Sequence, residues 1–104
     1  MNDSQKLLSP LGMCRRAGKL GCGHDAAIGA IRSKAACLCL MSSDSSERLR
    51  EEIERECTFE ERNVPVRVLC SDMINIGHAT GLKSAVLAIN DDGFAKAMLR
   101  EMEG

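Results

Sequence analysis

The amino-acid sequence predicts an α/β fold in which helices cover both faces of a central sheet. Two observations predict it: short apolar runs of strand length alternate along the chain with segments of helical periodicity, and turn or capping residues separate them. The 104 residues are enough for one domain, and 44% apolar and 28% charged residues are typical of a globular protein. We therefore expect a single domain over residues 1–104.

The chain begins with a predicted helix in "SQKLLSPLGMCRRAG". Apolar residues recur there at helical spacing, opposite Arg15 and Arg16, at Leu7, Leu8, Leu11 and Cys14. Ser9-Pro10 is either the N-cap and first position of this helix or a kink within a longer one, and Gly18 ends it. The segment "KLGC" that follows is at most a very short strand.

A second helix is predicted in "HDAAIGAIRSK", with Asp25 as its N-cap. Its inward-facing residues are Ala27, Ile28 and Ile31. Gly29 costs about 1 kcal/mol relative to alanine in a helix interior. Close packing of another segment would explain that cost.

The rest of the chain continues the alternation. The apolar runs "AACLCLM", "VPVRVLC" and "SAVLAI" predict strands. Helices are predicted in "SERLREEIEREC", from Ser71 through "DMINIGHAT", and in "DDGFAKAMLREM". The first and last of these carry apolar stripes at i, i+4 and i+8, formed by Leu49, Ile53 and Cys57 and by Phe94, Met98 and Met102.

The charges are distributed unevenly around a net charge of −1. Residues 1–36 carry six Lys and Arg against two Asp and Glu, a net charge of +4, whereas residues 37–62 carry four against eight, a net charge of −4. The positive charge of residues 1–36 is compatible with contact to an anion such as RNA, and ordinary solvated surface charge explains this excess equally well. The balance differs from that of proteins that bind nucleic acid by charge alone.

The cysteines and the N-terminus indicate a reducing compartment. "MNDSQKLLSP" lacks the apolar core of a signal peptide, so we expect a cytoplasmic protein. No two of the six cysteines are spaced C-x-x-C, and neither His24 nor His78 completes a set of zinc ligands at a familiar spacing. We therefore expect no metal, and buried, reduced thiols, with Cys37 and Cys39 on one face of a strand.

The stretch "GKLGCGHDAAIGAI" contains a G-x-G-x-x-A pattern at residues 21–26, the spacing of a dinucleotide-binding turn. That motif requires a buried strand leading into the first glycine, and "CRRAGKL" is too polar to be one, so no cofactor is expected. A glycine turn that leads into a helix still offers free backbone N–H groups to an anion. Lys19 and Arg32 are expected to flank this site, while the charge of Asp25 opposes it.

An enzymatic function is not indicated. Neither histidine has an evident serine or cysteine partner in the sequence. Cys22, beside the predicted helix N-terminus, is the one thiol positioned for a lowered pKa. The other interpretation, a small residue that fills a tight turn, is the one we favour.

Several motifs, in order and over nearly the whole chain, resemble a known family. "LLSPLGMCRRAGKLGCG", "AIRSKAACLCLMSSDSS", "NVPVRVL", "IGHATG" and "DDGFAKAM" together resemble the kink-turn RNA-binding ribosomal proteins of the L7Ae and L30e type. Within that family, "RAGKL", "NVPV" and "DGFAK" are most similar to the small bacterial YlxQ branch. The resemblance implies a three-layer α/β/α sandwich with a central mixed sheet of about four strands, and a non-enzymatic protein that binds RNA.

The resemblance also implies where RNA would bind. The family pattern G-x-N-E-x-x-K places its glycine on Gly23, its asparagine on Asp25, its glutamate on Ala26 and its lysine on Gly29. Two contacting side chains are therefore missing, and each base contact is worth about 1–3 kcal/mol. The resemblance therefore supports the family's fold for this chain more strongly than it supports the family's specificity for kink-turn RNA. A second contact loop of the family corresponds to Gly81, Leu82, Lys83 and Ser84.

Together these arguments predict a partner and a set of contacts. With two Phe and no Tyr or Trp, the chain lacks an aromatic platform for single-stranded bases. The expected partner is therefore a structured RNA, either ribosomal RNA or the RNA of another ribonucleoprotein. The alternative is a protein-interaction module on the same scaffold, with the acidic helix at 47–61 as the contact. We expect a monomer without membrane contact whose RNA-binding residues are Lys19, Gly21, Gly23, His24, Asp25, Arg32, Leu82, Lys83 and Ser84.

Overall fold

The computed structural model describes residues 3–103, and the side chains of residues 6–102. Helices and strands alternate as the sequence predicts. In chain order they are α1 (Asp3–Arg16), β1 (Leu20–Cys22), α2 (His24–Arg32), β2 (Leu38–Met41), α3 (Glu47–Thr58), a 3-10 turn (Phe59–Glu61), β3 (Val66–Val68), α4 (Met73–Thr80), β4 (Val86–Ile89) and α5 (Asp92–Glu103).

The four strands form one mixed sheet in the order β1-β4-β2-β3. Strand β4 runs antiparallel to both β1 and β2, whereas β2 and β3 are parallel. On the outer strand β3, the Arg67 guanidinium donates a hydrogen bond of 2.9 Å to the carbonyl of Val66. The predicted mixed sheet of about four strands is confirmed.

Helices cover both faces of this sheet, because every residue of β2 and β4 is buried and successive side chains point to opposite faces. On one face the strands pack against α1, α4 and α5, through Leu38, Leu40, Leu87 and Ile89. On the other face they pack against α2 and α3, through Cys39, Met41, Val86 and Ala88. The three-layer sandwich is therefore confirmed.

Helix α1 is continuous through Pro10, so it does not begin at Ser9-Pro10. It ends as predicted, because Gly18 adopts a φ of +74° and donates its N–H to the carbonyl of Arg15. Gly12 allows α1 to approach α4 closely: a Cβ at this position would lie 3.0 Å from the carbonyl oxygen of Ala79.

Three expectations about helix details are wrong. Asp25 does not cap α2, because the helix begins at His24 and Gly23 occupies the N-cap position, two residues before Asp25. Gly29 is exposed and a Cβ there would meet nothing within 4 Å, so no neighbouring segment accounts for it. Helix α4 begins at Met73 rather than at Ser71, because Asp72 caps it: the Asp72 carboxylate accepts the N–H of Asn75 at 2.9 Å.

The cysteines follow the sequence prediction only in part. None of the six, all within the described residues, forms a disulfide; the buried ones are Cys14, Cys39 and Cys57, but Cys70 is exposed. Cys37 precedes β2 and packs against the face of the sheet that carries α1, whereas Cys39 points to the other face. The prediction that Cys37 and Cys39 share a face is therefore wrong, because the chain enters the strand only at Leu38.

Candidate nucleic-acid interface

Four chain segments meet at one end of the sheet, which we call the loop end. They are residues 22–26, 42–46, 69–72 and 81–85, which lie where β1, β2 and β3 finish and where the antiparallel β4 starts. Backbone hydrogen bonds join them: the N–H of Gly23 donates to Val86 O at 2.9 Å, and that of Ser42 to Ala85 O at 2.9 Å. The turn before α2 and the loop before β4 are therefore direct neighbours.

The turn into α2 leaves the start of that helix open. Gly23 has a φ of +95° and a ψ of 171°, a conformation that only glycine adopts readily, and no side chain caps the helix. The first intrahelical bond runs from Ala27 N–H to Gly23 O at 3.0 Å. The preceding N–H groups of the first turn thus have no acceptor within the helix, and they point outward at the positive end of its dipole.

His24, the first residue of α2, lies between two carboxylates. Its Nε2 is 2.8 Å from Glu52 Oε2 on α3, and its Nδ1 is 3.2 Å from Asp25 Oδ1. The hydrogen bonds to Glu52 and then to Asp25 raise the pKa of His24 above its usual 6.5. The side chain of Asp25 is fully exposed, so a negative charge remains beside the open helix start.

The loop before β4 presents two of the predicted contacts to solvent. Gly81 ends α4 with a φ of +88°, and the Thr80 hydroxyl accepts the N–H of Leu82 at 3.3 Å. Leu82 is 47% exposed and Lys83 is exposed. Ser84 is buried instead, and its hydroxyl donates to Leu82 O at 3.2 Å, which fixes the loop conformation.

Two predicted cations lie at the opposite end of the sheet. Lys19 precedes β1, four residues before Gly23, about 13 Å away at 3.3 Å per residue of strand. Arg32 ends α2, about 12 Å from the helix start at 1.5 Å per residue. Its guanidinium contacts both carboxylate oxygens of Glu56, at 3.1 and 2.9 Å. The structure therefore brings six of the other seven predicted residues to the loop end, and the seventh, Gly21, lies one residue before it in β1, opposite Ala88.

The sequence analysis missed a cation that does reach the loop end. Arg15 is half-buried, and its Nη1 donates to the carbonyl of Thr80 at 2.8 Å. The expectation that Arg15 lies opposite the apolar stripe of α1 is wrong, whereas Arg16 is exposed as expected. Spacing contained the signal, because Arg15 follows the buried Leu11 by four residues and thus shares its face.

Cys22 has none of the character of a reactive thiol. Burial raises its pKa, and the nearby Arg15 guanidinium only partly offsets that effect. The less favoured of the two interpretations, a thiol with a lowered pKa, is therefore wrong, because the thiolate loses more from desolvation than it gains from the cation.

The comparisons with known proteins define the class of this chain. Residues 5–99 match the sequence model of the ribosomal protein L7Ae/L30e/S12e/Gadd45 family, and the chain belongs to this family. It is 32% identical over 106 residues to RNA-binding protein YlxQ of Enterococcus faecium, which covers 100% of both chains. It is 30% identical over 90 residues to RNA-binding protein YlxQ of Bacillus subtilis (strain 168), covering 86% of this chain and 87% of that one. The predicted family and its YlxQ branch are confirmed.

Solved structures share the fold. A protein of unknown function from Bacillus halodurans matches with a TM-score of 0.85 and 25% identity, covering 95% of this chain and 98% of that one. The Giardia lamblia 15.5kD RNA binding protein matches with a TM-score of 0.71 over 97% of this chain and 85% of that one; at 15% identity it supports the fold alone. The family and the YlxQ relatives also confirm a non-enzymatic protein. Within residues 3–103, no helix has the length and apolar character needed to cross a membrane.

Proposed function

We propose that this chain binds structured RNA through the loop end of the sheet. Membership of the L7Ae/L30e family and similarity to two proteins named as RNA-binding support this function. The observation that carries it is the bond from Gly23 N–H to Val86 O, which holds the open start of α2 against the loop that presents Leu82 and Lys83. Two surfaces with complementary chemistry for RNA thus lie side by side.

Each part of this surface supplies a different kind of contact. The N–H groups of the first turn of α2 donate to phosphate oxygens, as helix N-termini do for anions. Lys83 adds a positive charge, and Leu82 offers an apolar contact to a sugar or an unstacked base. Phosphate contacts dominate this set, so we expect modest affinity and a strong dependence on salt.

The RNA that fits best is one with a sharply bent backbone. Such a bend concentrates phosphates near one point, which suits two adjacent contact segments better than a straight duplex does. Ala26 and Gly29 are both exposed, so the family's glutamate and lysine positions face the solvent without a base-reading side chain. We therefore propose recognition of backbone shape, with weaker base readout than the family pattern implies.

Binding to a kink-turn RNA and to a matched straight duplex, at about 50 and about 200 mM salt, tests the proposal. The matched variants are Lys83→Met at the loop end and Lys19→Met at the opposite end. We expect Lys83→Met to weaken binding and to lower the salt slope by about 1, and Lys19→Met to leave both unchanged. Equal effects of the two variants, or no binding to either RNA at low salt, would overturn the proposal.

The alternative function is binding of a protein partner through the acidic helix at 47–61. Helix α3 already commits Glu52 to His24 and Glu56 to Arg32, which leaves less free acidic surface than the sequence suggests. Recovery of one stoichiometric protein after nuclease treatment, together with absent RNA binding, would favour that partner. A cytoplasmic location, a monomeric state and a single domain over residues 1–104 belong to the proposal as well.

A further inference from the structure

We propose that a groove between α1 and α4 binds backbone phosphates of the RNA segment that flanks the bend. This inference rests on the proposed function and adds a second contact surface to the loop end. The groove has a volume of about 400 Å³. Most of its lining residues are polar or small, and they are Ser9, Gly12, Arg16, Asn75, His78 and Ala79.

The floor of the groove lies where the two helices touch. A Cβ on Gly12 would lie 3.0 Å from the carbonyl oxygen of Ala79, so no side chain separates the two backbones at this point. The same Cβ would lie 3.8 Å from Nη1 of Arg16, so the guanidinium extends back along α1 over Gly12. The positive charge of Arg16 is therefore held at the groove rather than beyond the end of the helix.

The charge of Arg16 is available to an anion. Among the described side chains, residues 6–102, its guanidinium has neither an ion pair nor a hydrogen bond. The same is true of three other exposed arginines, but a glutamate also lines the groove of each, and they are Arg48, Arg55 and Arg100. No acidic residue lines the groove of Arg16. The carboxylate of Asp72, at the start of α4, accepts the N–H of Asn75. An anion beside Arg16 therefore meets a positive charge without a carboxylate paired to it.

The groove adjoins the loop end through α4. The end of α1 lies against the end of α4, because Nη1 of Arg15 donates to the carbonyl of Thr80 at 2.8 Å. The loop after α4 packs back against that helix, because a Cβ on Gly77 would lie 3.3 Å from the Cα of Lys83. The next residue along α4 is His78, which lines the groove. The groove and the loop that presents Lys83 therefore border the same helix, and one RNA strand can contact both.

The side chains of the groove are the donors that recognise a phosphate. The guanidinium of Arg16 presents a planar fork of N–H groups that matches two phosphate oxygens. The Ser9 hydroxyl, the Asn75 amide and a ring N–H of His78 can each donate a further hydrogen bond, and all three residues are exposed. Such contacts go to the backbone and carry no information about bases. The groove therefore adds affinity and orientation without sequence preference.

The experiment compares two kink-turn RNAs that share the same bend and differ in the length of the helices on either side of it. The short RNA ends close to the bend, whereas the long RNA continues by a helical turn on each side and can reach the groove. We expect the wild type to bind the long RNA about tenfold more tightly, the effect of one charge-assisted contact, and with a steeper salt dependence. Arg16→Met should abolish this advantage and leave binding to the short RNA unchanged.

Arg55→Met is the matched control. It removes one exposed positive charge, as Arg16→Met does, but from a groove that Glu51 and Glu54 also line. It should therefore preserve the advantage of the long RNA. An equal loss in both variants, or equal wild-type affinity for the two RNAs, overturns the groove contact even where binding at the loop end is real.

A titration with inorganic pyrophosphate, followed by NMR, tests the groove without RNA. We expect saturable shifts of the side-chain Nε–H of Arg16 and of the ring of His78, and no shift of the Nε–H of Arg55. Arg16→Met should remove the response of His78. Absence of saturable shifts in the wild type overturns the phosphate site in the groove. Saturable shifts in a protein that binds neither RNA overturn the proposed function and leave the phosphate site supported.

Discussion

His24 and Glu52 join the first turn of α2 to the middle of α3, with 2.8 Å between Nε2 and Oε2. The pair lies beside the open helix start, and Asp25 contacts the other ring nitrogen at 3.2 Å. The charge at the proposed interface therefore depends on whether the imidazole is protonated.

The His24–Glu52 pair should make stability depend on pH. Both carboxylates raise the pKa of His24 in the folded protein above 6.5. The stabilisation is therefore fully present below about 6.5, as long as Glu52 stays ionised, and is lost as the pH rises through the folded pKa. Urea unfolding of the wild type and Glu52→Gln should differ most near pH 6 and least above pH 8. Glu51→Gln, on the same helix, is the control, and a difference that grows with pH would contradict this prediction.

Replacement of Gly23 by alanine should destabilise the protein. Its φ of +95° and ψ of 171° fall in a region that is essentially restricted to glycine, and a side chain there costs about 1–3 kcal/mol. Denaturant unfolding measures this cost. Gly29→Ala is the matched control, because Gly29 lies within α2, the helix that Gly23 precedes, with open space around it, and it should stabilise by about 1 kcal/mol. The prediction fails if both variants change stability in the same direction.

The family's missing side chains can be restored at exposed positions. Ala26 and Gly29 are exposed, and a Cβ at Gly29 would meet nothing within 4 Å. We expect Ala26→Glu with Gly29→Lys to bind the kink-turn RNA at least about tenfold more tightly than the wild type, because each restored base contact is worth about 1–3 kcal/mol. Binding to the straight duplex serves as the reference. An equal gain on both RNAs would indicate added charge rather than restored readout.

The contact between α1 and α4 should be intolerant of a larger residue at Gly12. An added Cβ would lie 3.0 Å from the carbonyl oxygen of Ala79, a backbone atom that cannot move independently of its helix. Gly12→Ala should therefore cost about 1–3 kcal/mol in the free energy of unfolding, as overpacking does elsewhere. Met13→Ala, at an exposed neighbour in the same helix, should change stability far less. If Gly12→Ala had the same melting temperature as the wild type, α1 and α4 would be able to move apart without cost, and the prediction would be wrong.

The sequence predicted most of the fold because the relevant signals are local. The apolar runs around Leu38 and Leu87 are strands buried on both faces, and the stripe of α3 is inward at Ile53 and Cys57. Periodicity of this kind depends only on neighbouring residues, and it locates helices and strands without knowledge of their partners.

The candidate site was harder to predict because it depends on the direction of elements. Lys19 and Arg32 are close to Gly23 in sequence, but β1 and α2 each carry their cation to the opposite end of the sheet. Arg15 is also near Gly23 in sequence, and its hydrogen bond to the carbonyl of Thr80 shows that its guanidinium reaches the loop end. Helical spacing places Arg15 on the buried face of α1, but it does not show which end of the sheet a residue reaches, because that follows from strand order and from contacts between distant segments such as Arg15 and Thr80.

The hydrogen bond from Arg67 to the carbonyl of Val66 affects how molecules of this protein meet one another. The parallel pairing with β2 directs the backbone groups of Val66 away from the sheet, where a strand from another molecule would otherwise bind. The chain's own guanidinium occupies that carbonyl and adds a charge beside it. The outer edge is thus a poor template for strand addition, which protects the folded protein from edge-to-edge aggregation at high concentration.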